Sequence, residues 1–255
     1  MKNINYLVII VFPLMMFSCG KYSEKYEKKG DLYFENKQYR ESIESYLKAF
    51  RFNKKNKSAL HSIGRAYERL DDYKNAIKYY TLALEVDSLY ALAYRSRGFA
   101  EYKLKEYIKA LSDYDKSIKI DSLNSTAFSN SGFIYENICE YDKAKLYYQK
   151  AIQVNPNDYS AMNKLAKLEF DLRNYDSSII LCNKVIGHYN DDPASPYGTL
   201  GLVYIAVQKW DSSVVNLTKA IELNPDWSHY YNNRGYALDG LQKYSLALND
   251  YNKAI

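Results

Sequence analysis

Residues 71–80 read DDYKNAIKYY, and the chain keeps returning to that pattern. KQYRESI stands at 37–43, KEYIKAL at 105–111, CEYDKAK at 139–145, RNYDSSI at 173–179, QKWDSSV at 208–214 and QKYSLAL at 242–248. The aromatics in these stretches, Tyr39, Tyr73, Tyr107, Tyr141, Tyr175, Trp210 and Tyr244, recur every 34 residues, with one interval of 35. Nine residues upstream of each stands a small residue: Gly30, Gly64, Gly98, Gly132, Ala166, Gly201 and Gly235. Ten residues downstream stand Ala49, Ala83, Ser117, Ala151, Val185, Ala220 and Ala254. Within the stretch, Tyr73, Ala76, Ile77, Tyr80 and Leu84 trace the apolar stripe of an amphipathic helix. The period is longer than one helix and shorter than a domain, so the unit is a helical pair that must stack on neighbours to bury its apolar face.

Composition agrees with a helical protein. Tyrosine is abundant (29 of 255), while glycine (10) and proline (5) are scarce, which disfavours a turn-rich β fold. The net charge of +5 is too small and too dispersed for a nucleic-acid binder. Helix-ending residues recur in step with the repeat: Asn53, Asp87, Asp121, Asn155 and Asn224, with Pro156 and Pro225 following the last two.

These residues resemble the tetratricopeptide repeat family, whose unit is a 34-residue helix–turn–helix. With the small residue as position 8, the repeats run 23–56, 57–90, 91–124, 125–158, 159–193, 194–227 and 228–255. The resemblance implies an all-α, right-handed α-solenoid. Small residues at position 8 and at position 20 (Ser42, Ala76, Ala110, Ala144, Ser178, Ser213, Ala247) let paired helices approach. Large residues at positions 11 and 24 are expected to fill gaps between neighbouring pairs, and the recurring aromatic to wedge the turn. Repeat 5 is the weak unit, with Ala166, Cys182 and one extra residue in GHYNDDPASP at 187–196. No capping helix follows position 28, where the sequence ends at Ile255.

The first eighteen residues, MKNINYLVIIVFPLMMFS, carry Lys2 and an apolar run from Tyr6 to Phe17. That run is too short to span a bilayer, which takes roughly 20 residues, and has the length of an export signal's apolar region. Ser18, Cys19 and Gly20 resemble the end of a bacterial lipoprotein signal. This implies lipidation at Cys19, a short tether at 19–22 and residence in the bacterial envelope, on the outer membrane by preference. Cys139 and Cys182 do not form a disulfide framework: the first is expected in a turn, the second as a small packing residue.

No constellation for chemistry stands out. His61, His188 and His229 lack partners at metal-ligand spacing and read as surface histidines. The acidic pairs Asp71–Asp72 and Asp191–Asp192 fall in turns and caps, and no phosphate loop occurs. The expectation is a non-catalytic scaffold that takes no metal or cofactor and binds a protein or peptide.

In the family, positions 2, 5, 9, 12 and 13 of the first helices line a concave groove. Carried over, they place Arg65, Arg69, Arg95, Lys103 and Lys167 among Phe99, Tyr102, Phe133 and Phe170. Such a face suits a segment carrying acidic and apolar side chains. Against this, Glu27, Asp31 and Glu35 lie one repeat before His61, Arg65 and Arg69, and mutual neutralisation is the expectation for repeats 1 and 2. A clamp for chaperone C-termini is excluded on family grounds, because Asp31 stands where that clamp has asparagine. The alternative role is the input array of a signalling protein that continues beyond Ile255.

Overall fold

The computed structural model describes residues 4–188 and 191–255, with side chains from residue 20 onward. The expected export signal and Cys19 therefore lie outside the residues whose side chains are described. Helical pairs follow one another: α1 (Ile4–Glu35) and α2 (Tyr39–Phe52), α3 (Lys57–Arg69) and α4 (Tyr73–Val86), α5 (Ala91–Lys103) and α6 (Tyr107–Ile120). Next come α7 (Ser125–Asn137) and α8 (Tyr141–Val154), then α9 (Tyr159–Asp171) and α10 (Tyr175–Val185). The last pairs are α11 (Ser195–Ala206) with α12 (Trp210–Leu223) and α13 (Ser228–Gly240) with α14 (Tyr244–Ala254). No strand occurs among the described residues, and the fold is an all-α solenoid of helical repeats.

Each of the seven recurring aromatics is the first residue of a second helix. The turn before it has one construction throughout. In repeat 2, the amide of Asp72 donates to the Tyr67 carbonyl (2.9 Å) and that of Asp71 to the Glu68 carbonyl (3.0 Å). This is the Schellman closure of a helix C-terminus, which needs a left-handed residue. Lys37, Asp71, Lys105, Cys139, Arg173, Gln208 and Gln242 take that conformation, with φ between 56° and 62°. None is glycine, so the turn is held by its paired hydrogen bonds rather than by a permissive residue. The helix-ending Asn53, Asp87, Asp121 and Asn155 each accept an amide from two residues on with the side chain, at 2.9–3.2 Å. These Asx turns give the recurrent helix stops a mechanism.

Five of the seven turn aromatics are half-buried, and Tyr39, Tyr107 and Tyr175 meet a ring at the end of their own first helix, while Tyr141 and Tyr244 are exposed. Deeper burial belongs to Tyr80, Tyr114 and Tyr148 at position 24, at most 1% exposed. The position-24 ring lies on the position-8 glycine of its own repeat and also packs against the repeat that follows, Tyr46 on Ile63, Tyr80 on Ala100 and Tyr148 on Leu165. A Cβ on Gly30 or Gly64 would stand 2.5 Å from the ring of Tyr46 or Tyr80, and one on Gly132 would be 2.8 Å from Tyr148. Repeat 5 makes the complementary exchange: Ala166 replaces glycine, and the small Cys182, fully buried, replaces the ring. Two hydroxyls at position 20 tie the pair further, Ser178 donating to the Ala166 carbonyl (2.8 Å) and Ser213 to that of Gly201 (2.9 Å).

Helices group into two compact units, residues 1–127 and 128–255. In the first, one core cluster joins Ile43 and Tyr46 of α2 to Ile63 and Ala66 of α3, and another joins Leu60 of α3 and Leu84 of α4 to Ala93 of α5. In the second, Tyr148 of α8 packs with Leu165 and Leu168 of α9, and Ala166 and Cys182 with Leu200 of α11. Neighbouring repeats thus share each core.

A buried ionic device recurs once in each unit. Arg97 grips Asp113 with both forks, Nε to Oδ2 at 2.6 Å and Nη2 to Oδ1 at 2.9 Å, and donates a third bond to Thr81 of the preceding repeat at 3.0 Å. Arg234, Asp250 and Thr218 repeat the arrangement at 2.7, 2.8 and 3.0 Å. The carboxylates are almost wholly buried, so the arginine is their indispensable counter-ion. Arginine at position 7, aspartate at position 23 and threonine at position 25 of the repeat before occur together in these two places and at no other repeat, a coincidence legible in the sequence.

The ring-on-glycine packing sets an expected outcome. Gly64→Ala should lower stability in urea by about 2 kcal/mol, the cost of overpacking a closed core. Ala166→Gly, where Cys182 leaves room, should lose only helix propensity, about 1 kcal/mol. A Gly64→Ala protein as stable as wild type would refute the packing.

Candidate functional site

The positions carried over from the groove fall partly in one unit and partly in the other, and each half has its own environment. In residues 1–127, α1 contributes Asp31, Phe34 and Glu35. Asp31 is engaged from behind: it accepts the Tyr46 hydroxyl at 2.8 Å. Glu27 accepts the Asn56 amide at 2.9 Å, and Glu24 pairs with Lys28 at 2.7 Å.

The expected neutralisation of the α1 acids by the α3 bases does not form. Among the described residues, Arg65, Arg69 and Arg95 have no ion pair within 4 Å. Arg65 instead lays its guanidinium over the Phe34 ring, 4.9 Å from the centroid. Stacking in this way leaves the guanidinium edge free to donate. Asp31, Phe34, Glu35, Tyr46, Arg65 and Arg69 border a hollow of about 560 Å³.

His61 departs from its surface reading. It is 5% exposed, its Nε2 lies 3.0 Å from the Ser96 hydroxyl, and its ring packs against Tyr80 (5.2 Å) and Tyr90 (5.6 Å). Burial, reinforced by the charges of Arg65 and Arg95, pushes its pKa down to about 3, so the ring is neutral at every physiological pH. Its burial depends on Tyr90, at the last position of its own repeat, and on α5 of the next, which explains why the local pattern missed it.

Along α5, Lys103 reaches over Phe99 at 5.4 Å, and Tyr102 stacks on the turn residue Tyr107 at 6.0 Å. Arg95 is half-buried on the same helix, one repeat after His61. The first unit therefore brings together the cations Arg65, Arg69 and Arg95 and offers Phe99, Tyr102 and Lys103 on the neighbouring first helix.

In residues 128–255, Phe133 is covered by Lys164, whose ammonium lies 5.4 Å from the ring centroid. Lys164 was not singled out by position, yet it is the more enclosed cation, and burial holds its pKa below the usual lysine value. Lys167 is exposed and borders a second hollow, of about 550 Å³, with Ser195, Leu202, Asn224, Trp227 and Tyr230. Phe170 meets the turn residue Tyr175 at 6.1 Å. Trp227 and Tyr230 were missed; the signal was Gly198, a glycine outside the ladder, where a Cβ would stand 2.4 Å from the Tyr230 ring.

Two buried glutamates stand at position 11, and their surroundings differ. Glu169 accepts Lys145 at 2.8 Å and the Asn174 amide at 2.7 Å. Glu101 occupies the same place in repeat 3, but Ile77 and Glu106 stand where those partners would be. Its Oε2 is buried with no hydrogen-bond partner. Burial, with the neighbouring Asp113 charge, pushes the Glu101 pKa up to about 7 despite Arg97. It sits between helices, away from both hollows. No group of three or more metal-ligating side chains occurs among the described residues, and no helix among them is long and apolar enough to cross a membrane.

Comparison with known proteins accords with this geometry. Models of the tetratricopeptide repeat match residues 125–158, 58–88 and 228–255, and a model described as TPR repeat matches 30–71. The chain is a tetratricopeptide repeat protein. Its fold is shared with a tetratricopeptide repeat protein from Parabacteroides merdae (23% identity, 92% of this chain and 93% of that one, TM-score 0.68). It is shared too with PilF from Pseudomonas aeruginosa (20% identity, 84% and 96% covered, TM-score 0.72). YrrB, described as a TPR protein with an unusual peptide-binding site, aligns at 21% identity over 81% of this chain and 97% of its own, with a TM-score of 0.57. No curated protein matches.

The tetratricopeptide array gives Glu101 a clear pH signature. Its folded pKa is raised, so the stability it contributes is full below about pH 4.5 and is lost as pH rises through about 7. Glu101→Gln should remove a loss of roughly 2–3 kcal/mol between about pH 5 and pH 8, read from urea unfolding at both values. Parallel pH profiles for wild type and variant would contradict the assignment.

Proposed function

We propose that this protein is a non-catalytic scaffold of the bacterial envelope, held by a lipid on Cys19, that captures an acidic and partly apolar protein segment on its first-helix face. One observation carries the binding half of that reading: Arg65, Arg69 and Arg95 face solvent or are half-buried with no carboxylate within 4 Å, beside the rings of Phe34 and Phe99. Guanidiniums without internal partners recognise carboxylates with charge-assisted, often forked hydrogen bonds, and adjacent rings supply buried area. The peptide-binding site named for YrrB and the family's helical architecture support a polypeptide as the ligand. Lys103 extends the cationic face along α5, and Phe133, Lys167 and Phe170 offer the same chemistry in the second unit.

The anchoring half rests on the sequence MFSCG at 16–20, with an apolar run before it whose length suits export. One acyl chain binds membranes only marginally, so a stable anchor needs the further chains that lipoprotein maturation attaches.

Both halves have direct tests. A fluorescein-labelled peptide alternating glutamate and leucine should bind wild type and weaken at least about tenfold in the Arg65→Glu/Arg95→Glu double variant, with affinity falling as salt rises. Equal binding by both proteins would remove the face from consideration. Radiolabelled palmitate fed to expressing bacteria should enter the wild-type protein and not Cys19→Ala; incorporation into both would exclude Cys19 as the anchor.

A further inference from the structure

Within the cationic face stands one acid of its own. Glu68 lies on α3, one turn after Arg65 and immediately before Arg69, and is half-buried. The groups that face it come from three helices: Arg65 and Arg69 from α3, Tyr73 and Tyr80 from α4, and Arg95 from α5. Asp31 and Glu35 of α1 stand across the hollow that Arg65 and Arg69 border. Three guanidiniums around one carboxylate would ordinarily close on it as salt bridges. Here none comes within 4 Å; the buried Glu68 Oε1 forms no well-aligned hydrogen bond, and its near neighbour is the uncharged Tyr80 hydroxyl. The carboxyl is therefore inside the field of the arginines without being neutralised by any of them.

Resting on the proposed capture of an acidic segment, we infer that Glu68 is an internal rival to that segment, and that its protonation opens the site. An ionised Glu68 cancels part of the positive field of Arg65, Arg69 and Arg95 and repels an incoming carboxylate. A protonated Glu68 leaves all three charges to the ligand, and its hydroxyl becomes a donor that an arriving anion can use. By linkage, an anion that binds better to the protonated form must raise the proton affinity of Glu68 in return. Binding thus takes up a proton, and affinity rises as pH falls. Partial burial holds the Glu68 pKa above the ordinary glutamate value, against the Tyr80 hydroxyl and the three arginines. His61, the nearest histidine, is too depressed to contribute to such a dependence.

The test uses a fluorescein-labelled peptide alternating cysteic acid and leucine, because sulfonates do not titrate and any pH dependence belongs to the protein. Wild type should bind several-fold more tightly at about pH 5.5 than at about pH 8, and titrations in buffers of differing ionisation heat should show proton uptake. Glu68→Gln should bind about tenfold more tightly than wild type at the higher pH and lose the dependence, a repulsion worth about one pKa unit. Wild type and Glu68→Gln binding alike at both pH values, with no proton uptake by wild type, would overturn the role of Glu68 while leaving acid capture standing. Failure of wild type to bind the peptide at any pH would overturn acid capture and this inference together. Proton uptake measured on wild type decides the question even where the variant folds poorly.

Discussion

A tyrosine ring resting on a bare backbone is the contact on which the rest of this protein depends. At Gly30 and Gly64 even a single carbon added to the glycine would sit inside the ring's van der Waals surface. The position-24 ring can be fully buried only because position 8 has no side chain, and the two helices of a repeat can close only because that ring fills the space between them. Repeat 5 supports this from the opposite direction. There the glycine has gained a methyl group and the ring has been lost, so the two positions change together: where no ring must be seated, the bare backbone is not kept.

From that contact the remaining order follows. Once a pair has closed, its outer face is apolar and demands a neighbour, which is why the core clusters run from one repeat into the next. Burial alone is not selective about register, because one apolar face slides easily over another. The Arg97–Asp113 and Arg234–Asp250 forks fix the two helices of one repeat in a single geometry, and the same guanidinium's bond to Thr81 or Thr218 sets that repeat against the preceding one. Both join a repeat to the one before it. The left-handed residues of the turns, none of them glycine, show the same economy: conformational strain is accepted where two backbone hydrogen bonds hold it in place.

The helical architecture was legible in the sequence because a 34-residue period involves many residues at once and survives individual departures. What stayed hidden depended on single contacts across repeats. The recurring aromatic at the turn is the most visible marker and starts each second helix, but the wholly buried ring sits seven residues later. Asp31 and Arg65 read as a neutralising pair because they occupy the same position in adjacent repeats. Side-chain direction decided otherwise, since Tyr46 takes the aspartate and Phe34 takes the face of the arginine. Glu101 and Glu169 are identical by position, and only their surroundings, Ile77 against Lys145 and Glu106 against Asn174, make one an uncompensated acid and the other a paired one. A periodic sequence announces its scaffold and conceals its exceptions.

Those exceptions are where a binding function would reside. A solenoid whose every charge was internally paired would be stable and inert. Here the buried charges are matched with care in the Arg97 and Arg234 contacts, while Arg65, Arg69 and Arg95 remain without carboxylates although acids stand one helix away. The difference lies in what each acid can reach. Asp113 and Asp250 are enclosed and gripped by an arginine fork, whereas Asp31 is drawn inward by a tyrosine hydroxyl and Glu68 has no guanidinium within 4 Å. Unpaired cations at a surface cost little on their own, because water solvates them well, and so they can be kept at small expense in stability. They become valuable when a ligand displaces that water, since a charge-assisted bond formed in a sheltered hollow is stronger than the same bond in bulk solvent. The fold therefore concentrates its stability in the ring-and-glycine ladder, which leaves the first-helix face free to carry charges that the fold itself does not need.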